Sequence, residues 1–490
     1  MDTTALRIHR ADNVAVALRE IARGETSLGV TAREVIPVGH KMALSAIAPG
    51  GIVYKYGYPI GLAKGPIAAG DWMHTHNCRT GLDQSVDYRY KPNRVSWPSD
   101  ESEPFFGYRR SDGRVGIRNE VWIIPTVGCV NQIARGLAAE AARVYGGRVD
   151  GIYALEHPNG CSQLGEDHER TQRTLAALAR HPNAAAALVL GLGCENNHIA
   201  AFQKIVGSTD PERIAYLSCQ NVSDEWTEAM RLLERLTARA ERDRRVPCRT
   251  SDLVIGLKCG GSDGFSGITA NPLLGRVTDR LTAQGGISLL TEVPEMFGAE
   301  QLLMSRCVSR EVFEKTRGLI DGFKAYFKGY GQPVYENPSP GNKDGGITTL
   351  EEKSLGCVQK GGSSPVTDVL PIGMRAVKAG LNLVDGPGND LCAVTALACA
   401  GAQVILFTSG RGTPLGSPVP TLKVATNSGL AEKKPHWIDF DAGTLLAGMP
   451  MPEAADALWG HILRVVSGEG CKNERYGDHT IAIFRDGVTL

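Results

Sequence analysis

Five of the twelve cysteines in this 490-residue chain stand in or beside glycine-bearing turns: Cys129, Cys161, Cys194, Cys259 and Cys357. Thiolates in such turns can ligate iron or another soft metal. None of the five forms a close C-x2-C pair, so a metal would have to draw ligands from separate loops. The plain alternative is that they pack as small apolar side chains. His74 and His76 alternate in Trp-Met-His-Thr-His-Asn, which on a strand places both on one face. His40, in Val-Gly-His-Lys, is a third candidate beside them for metal binding or proton transfer, against a purely structural role. Asn77 and Arg79 follow the histidines and are added as candidate substrate contacts. His157 shares a loop with Cys161, and Glu195 follows Cys194, so both join the candidate metal ligands. Glu292 and Glu295 flank Val-Pro, where carboxylates can hold a hard cation or act as a base, or else cap a helix beginning near 297. Ser262 with Asp263, and Asn389 with Asp390, sit in glycine-flanked turns suited to a polyol, although Asp and Asn also form such turns for structural reasons. Arg411, in Ser-Gly-Arg-Gly, suits two-point capture of a carboxylate unless it is simply a surface arginine. Neither G-x-G-x-x-G after a first strand nor a P-loop is present, so no nucleotide cofactor is expected.

These residues need elements to position them. Residues 1–85 read as a small β-rich module. Ile-Ala-Arg-Gly at 21–24, Ile-Ala-Pro-Gly at 47–50 and Ile-Ala-Ala-Gly at 67–70 place a turn-forming glycine between short apolar runs. Residues 86–106 are polar, proline-bearing and without period, and read as a linker. From 107 onward, apolar strands alternate with helices: strands at 121–125, 151–155, 186–190, 213–217, 253–257 and 288–290, with helices from about 131 to 145 and from about 167. Segment 337–363 reads as a long loop with one short helical stretch, and loops of that length are usually functional. A Rossmann-like unit is expected over 366–490, built on strands at 381–384 and 403–407 around a helix at 391–400. The fold class is therefore α/β: an N-terminal β module, a parallel-sheet body over 107–365 and the C-terminal unit. In such sheets ligands bind beyond the carboxyl ends of the strands, where the cysteines, carboxylates and His157 fall. The formal net charge is zero, so neither nucleic acid nor a membrane surface is an expected partner. No run approaches the roughly 18 apolar residues of a membrane helix, and the N-terminus lacks the apolar core of a signal peptide, so a cytoplasmic location is expected.

Longer phrases identify kin. VGHKMAL (38–44), KYGYPIG (55–61), HTHN (74–77), GIRNEVWIIPTVGCVN (116–131), NGCSQLG (159–165), GLGCENN (191–197), CGGSDGFSGITANP (259–272), EVPEMFGAEQLLM (292–304), ENPSPGNKDGGITTLEEKSLGC (336–357), GNDLCAVTALA (388–398), SGRGTPLG (409–416), KVATNS (423–428) and HWIDFDAG (436–443) resemble the altronate/galactarate dehydratase family over essentially the whole chain. Cys78 is the one position not assumed to be shared. The resemblance implies a β-clip N-terminal module of the SAF type. It implies a ferrous-iron-dependent hydro-lyase, with Mn2+ a possible substitute, assembled as a homo-oligomer, a dimer by expectation. D-Altronate, the substrate implied, loses water to give 2-dehydro-3-deoxy-D-gluconate. The resemblance assigns neither base nor acid. On that chemistry His40, His74 and His76 are expected at the metal or in proton transfer, Glu295 or Asp263 as carboxylate partner, and Arg411 and Asn389 on substrate oxygens. Another hydroxy acid, galactarate or sulfolactate, is the alternative within the family. A nicotinamide-dependent oxidoreductase and a non-catalytic sugar-acid-binding protein are the alternatives outside it.

Overall fold

The protein is described from a computed structural model covering residues 4–82, 88–92, 97–208 and 210–487. The N-terminal module is β-rich, as its pattern predicts. Ala5–Leu6, Val14–Ala17, Lys41–Ala43 and Trp72–Met73 form one antiparallel sheet, and Ile52–Lys55, Tyr58–Ala63 and Cys78–Arg79 a second. The recurring phrases end in turns at Gly24, Gly50 and Gly70, each with φ between +76° and +88°. At Gly70 a Cβ would lie 2.1 Å from the Thr31 carbonyl oxygen, so sterics as well as φ demand glycine. The strand ending at Met73 stops short of the histidine pair. His74 and His76 stand in the following turn, where His74 is buried and His76 exposed, so strand alternation does not align them.

Of the expected linker, 86–87 and 93–96 lie outside the described residues. Its far end is ordered. Pro104–Arg109 pairs antiparallel with Val246–Arg249, burying Phe105 while Phe106 stays exposed.

Two parallel sheets follow. The first runs Gly151–Ala154, Glu120–Pro125, Ala184–Gly191, Ile214–Ser218. Glu120–Pro125 and Ala184–Gly191 are buried at every position, as expected of strands covered on both faces. The second sheet has seven strands in the order Val366–Leu370, Gly380–Val384, Ile287–Leu290, Val254–Cys259, Val404–Ser409, Thr421–Ala425, Phe440–Asp441. The expected division near 365 falls inside this sheet. Strands at 254–259 and 287–290 pair directly with those at 404–409 and 380–384. Local periodicity identifies a strand but carries no information about its non-local partner, so no domain boundary lies where the pattern suggests one. Strand order reverses between Val254–Cys259 and Val404–Ser409, which opens a crevice beyond their carboxyl ends. The 337–363 segment is more helical than its composition suggests. Pro340–Asp344 and Leu350–Cys357 are both α-helices, each begun by a side-chain cap, from Ser339 and Thr349 respectively.

The N-terminal module is fastened to the body by buried charge. Glu352 accepts hydrogen bonds from Lys41 Nζ at 2.8 Å and from Lys55 Nζ at 2.8 Å. All three side chains are at most 1% exposed. Lys41 also donates to the Gly346 carbonyl at 2.6 Å. Removing one member of such a group leaves unpaired charge in the interior. Glu352→Gln is therefore expected to cost roughly 3–5 kcal/mol, read as a lower urea midpoint for loss of N-terminal β structure. An unchanged midpoint would mean that apolar contacts alone hold the two domains together.

Candidate active site

The crevice at the strand-order reversal contains a pocket of about 400 Å3. That volume is in the range that takes a small polar ligand. Its walls come from four loops: Cys259, Gly260 and Gly261 after one strand, Glu295 after the next, Gly388 and Asp390 from a third, and Arg411 from a fourth. Asn337, Ser339, Asn342 and Lys353 close it from the 337–357 segment.

Beneath and beside the pocket lies a buried network of charges and thiols. Lys353 Nζ donates to Glu295 Oε1 at 2.9 Å, to Asn337 at 2.9 Å and to Asn342 at 3.1 Å. Lys258 pairs with Glu292 and, at 2.8 Å, with Asp390. Lys360 pairs with Glu292 Oε2 at 2.7 Å and meets Cys357 Sγ at 3.2 Å. Glu292 holds φ +67°, a left-handed conformation that turns its carboxylate back toward the Cys259 amide, 3.2 Å away. Cys357 lies between Cys259 and Glu295 Oε2, the latter at 3.0 Å. A hydrogen bond from Cys357 holds the Cys259 thiol well below its ordinary pKa; burial opposes this and the Lys360 ammonium adds to it. Cys357 is pushed well above its ordinary value in return. The Ser262 hydroxyl, 2.7 Å from Cys259 Sγ, further favours the thiolate. Burial works against ionised Glu295, but Lys353, Lys258 and Lys360 outweigh it and hold the carboxyl down to about 2.

Not every expected residue reaches the pocket. Asp263 is buried and saturated. Its carboxylate accepts from Thr426 at 2.9 Å, Ser266 at 3.0 Å, Asn427 at 3.1 Å and the Phe265 amide at 3.1 Å, so it ties loops together and has no free lone pair for a base. The Asn389 side chain caps the Asp390–Cys399 helix. Asn77 caps its own turn, accepting from the His74 amide and donating to the Trp72 carbonyl, and Arg79 is exposed. The histidines cluster on the rim of the N-terminal module. His40 accepts from Trp72 Nε1 at 3.1 Å and meets the Asp344 carbonyl at 3.2 Å. His74 meets Thr348 Oγ1 at 3.2 Å and stacks on Trp72, and burial with nearby Lys41 lowers it to about 4. These contacts brace the segment that closes the pocket, and His40, His74 and His76 do not line it. His157, Cys161, Cys194 and Glu195 belong to loops of the other sheet.

The lysines are what sequence reasoning missed. Lys41, Lys258 and Lys360 are fully buried. Lysine within or closing an apolar run, as in Val-Ile-Gly-Leu-Lys-Cys, is the signal that could have found them, because a buried ammonium requires a partner.

Glu292, Glu295 and Cys357 are, among the described residues, the one group of three or more His, Cys, Asp or Glu donors within 4.8 Å of one another. They do not fit the ferrous ion that the resemblance implies. Both Glu292 oxygens and both Glu295 oxygens are already engaged, and a divalent cation there would face the ammonium groups of Lys258, Lys353 and Lys360.

Comparison with known proteins agrees along the chain. Residues 3–81 match the altronate/galactarate dehydratase SAF domain, 107–241 the D-galactarate dehydratase/altronate hydrolase second domain, and 250–489 the D-galactarate/altronate dehydratase C-terminal domain. The chain is 51% identical to altronate dehydratase of Escherichia coli (strain K12) and 50% identical to that of Bacillus subtilis (strain 168), with 99% of each chain covered in both cases. It is 32% identical to the L-threo-forming galactarate dehydratase of E. coli K12, over 98% of this chain and 96% of that one.

The depressed carboxyls set an acid limit. Glu295 and Glu352 are both held down to about 2, below the ordinary 4.5. Each stabilises the fold fully above its unfolded value and stops doing so as pH falls through about 2, a contribution of roughly 3 kcal/mol for each carboxylate. Acid unfolding followed by near-ultraviolet circular dichroism should therefore depend less steeply on pH in Glu295→Gln than in the unmodified chain. Equal slopes would show that Glu295 has an ordinary pKa in the fold.

Proposed function

The chain belongs to the D-galactarate/altronate dehydratase family, and from that premise we propose that it dehydrates D-altronate to 2-dehydro-3-deoxy-D-gluconate. It is a hydro-lyase by this reading. The observation that carries the geometry is the meeting, in one small pocket, of a polarised thiol, a buried ammonium and an arginine. The reversal of strand order is of the Rossmann-like kind, and here it serves a sugar acid instead of a dinucleotide.

The reaction needs three things: a hold on the carboxylate, a base for the weakly acidic C2 proton and an acid for the C3 hydroxyl. Arg411 is exposed at the mouth, with its Nε 3.8 Å from where a Cβ on Gly341 would stand. Its guanidinium suits the substrate carboxylate, and its charge favours the enediolate that develops there. Asn337 and Ser339 offer hydrogen bonds to chain hydroxyls, while Asn342 is spent on Ser339, Lys353 and the Ser262 carbonyl. Cys259 Sγ, kept toward thiolate by Cys357, Ser262 and Lys360, takes the C2 proton. Lys353 is held charged by Glu295 despite its burial; the C3 hydroxyl takes the place of Asn337 on one of its three N–H groups, receives that proton and leaves as water. The C2–H electron pair is first held as the enediolate and then forms the C2–C3 double bond as the C3–O bond breaks. The enol ketonises when C3 takes up a proton.

The test is release of 2-keto acid from D-altronate, with galactarate as comparator. Faster turnover of galactarate, or none of D-altronate, would overturn the substrate assignment. Cys259→Ala and Lys353→Met should each lower kcat by roughly 10^2- to 10^4-fold, the usual worth of a positioned acid or base. The two roles separate in deuterated water. Lys353→Met should still exchange the C2 proton of recovered substrate, and Cys259→Ala should not; the reverse pattern would exchange the assignments.

A further inference from the structure

Three cysteines take no part in that pocket. Cys129, Cys161 and Cys194 follow the carboxyl ends of Glu120–Pro125, Gly151–Ala154 and Ala184–Gly191, three neighbouring strands with Glu120–Pro125 in the middle. Their loops are laced together. The Gly128 amide donates to the Asn159 carbonyl at 3.0 Å, the Asn197 amide to the Gly160 carbonyl at 3.0 Å, and the Ser162 amide to Asn196 Oδ1 at 2.8 Å. Asn197 Nδ2 reaches the Thr126 carbonyl at 3.1 Å. The backbones touch: a Cβ on Gly160 would lie 2.0 Å from the Thr126 oxygen, and one on Gly128 would lie 3.0 Å from the His157 oxygen.

The other polar residues of these loops are already committed to structure. Glu195 accepts from Thr126 Oγ1 at 2.6 Å and from the amides of Leu192 and Gly193. The His157 ring spans the Pro125 carbonyl at 2.8 Å and the Asn159 amide at 3.1 Å, and burial lowers its pKa to about 4. Both side chains therefore hold the backbone that presents the thiols. The thiols themselves are accessible, with Cys129 and Cys194 exposed and Cys161 half-buried, and none is in a disulfide. Gln163, only 7% exposed and two residues after Cys161, has a side-chain amide nitrogen with no hydrogen-bond partner, and Asn131 Oδ1 on the first loop likewise has none.

We propose that Cys129, Cys161 and Cys194 ligate an iron–sulfur cluster, leaving one iron without a cysteine ligand. The three are not among donor groups within 4.8 Å of one another, the spacing a single ion requires. A cluster carries its thiolate ligands farther apart than a single ion does. Thiolates on separate strand-end loops suit iron, whereas the lysine-paired carboxylates of the pocket do not.

The inference does not rest on the assignment of Cys259 or Lys353, and the test keeps them apart. Full-length protein from iron-supplied cells, purified without oxygen, should contain iron and acid-labile sulfide and show broad thiolate-to-iron absorption in the visible. Cys129→Ser, Cys161→Ser and Cys194→Ser should each lose most of both, with circular dichroism unchanged. Cys129 and Cys194 are exposed, so their variants disturb packing least and keep the test informative where the Cys161 variant fails to fold. Cys259→Ser and Cys357→Ser should retain the cluster even where turnover is lost. The proposal is overturned by iron without sulfide, by zinc in place of iron, by neither metal nor sulfide in the unmodified chain, or by a cluster that survives the triple substitution.

Discussion

The Leu350–Cys357 helix is buried at every residue, yet it carries two glutamates and a lysine. Burial on that scale is tolerable only if each charge is met. Glu352 is met by two lysines from the N-terminal module and Lys353 by Glu295 of the body, while Glu351 is met at one oxygen only, by Thr80 and the Gly81 amide of the same module. Cys357, one turn on, faces Cys259 and Glu295. One short helix therefore answers to both domains. Displacing it would leave charge unpaired on each side, so the pocket and the domain junction form one electrostatic unit.

This arrangement determines what the pocket does. A carboxylate paired with an ammonium at 2.9 Å has little to offer a cation but holds a proton donor in place. In a thiol pair that shares a hydrogen bond, Cys357 favours ionisation of Cys259 while its own ionisation is disfavoured. Glu292 and Lys360 extend the network beneath them. The proposed reaction draws on this arrangement, in which the arginine and lysines would hold the ligand's charge while protons move to and from it.

Much of this was legible in the sequence. Apolar runs ending in glycine-rich polar phrases marked the strands and the edge where ligands bind, because such a run survives in isolation as a pattern. Cys259, Glu295, Asp390 and Arg411 do line the pocket. What could not be read was non-local. The strand at 254–259 pairs with one at 404–409, and no local period announces that partnership. Alternation aligned His74 with His76 only on the assumption of a strand that in fact ends at Met73. Thr349 and Glu352 have the spacing of a capping box, and Thr349 does cap the helix. Glu352 instead accepts from Lys41, Lys55 and the Thr348 amide.

Residue type and loop position do not by themselves separate a reactive group from a structural one. Asp263 and Cys259 lie four residues apart in one strand-end loop, and so do His157 and Cys161 in another. Asp263 is surrounded by four donors and His157 by two backbone partners, so each is spent on the loop it stabilises. The cysteines beside them are weak hydrogen-bonding groups that the backbone does not need. Polar side chains thus consume the available backbone contacts, and Cys259 is left to line the pocket. Hydrogen-bond satisfaction, counted atom by atom, is what moves the assignment of chemistry from the aspartate and histidine to the neighbouring thiols.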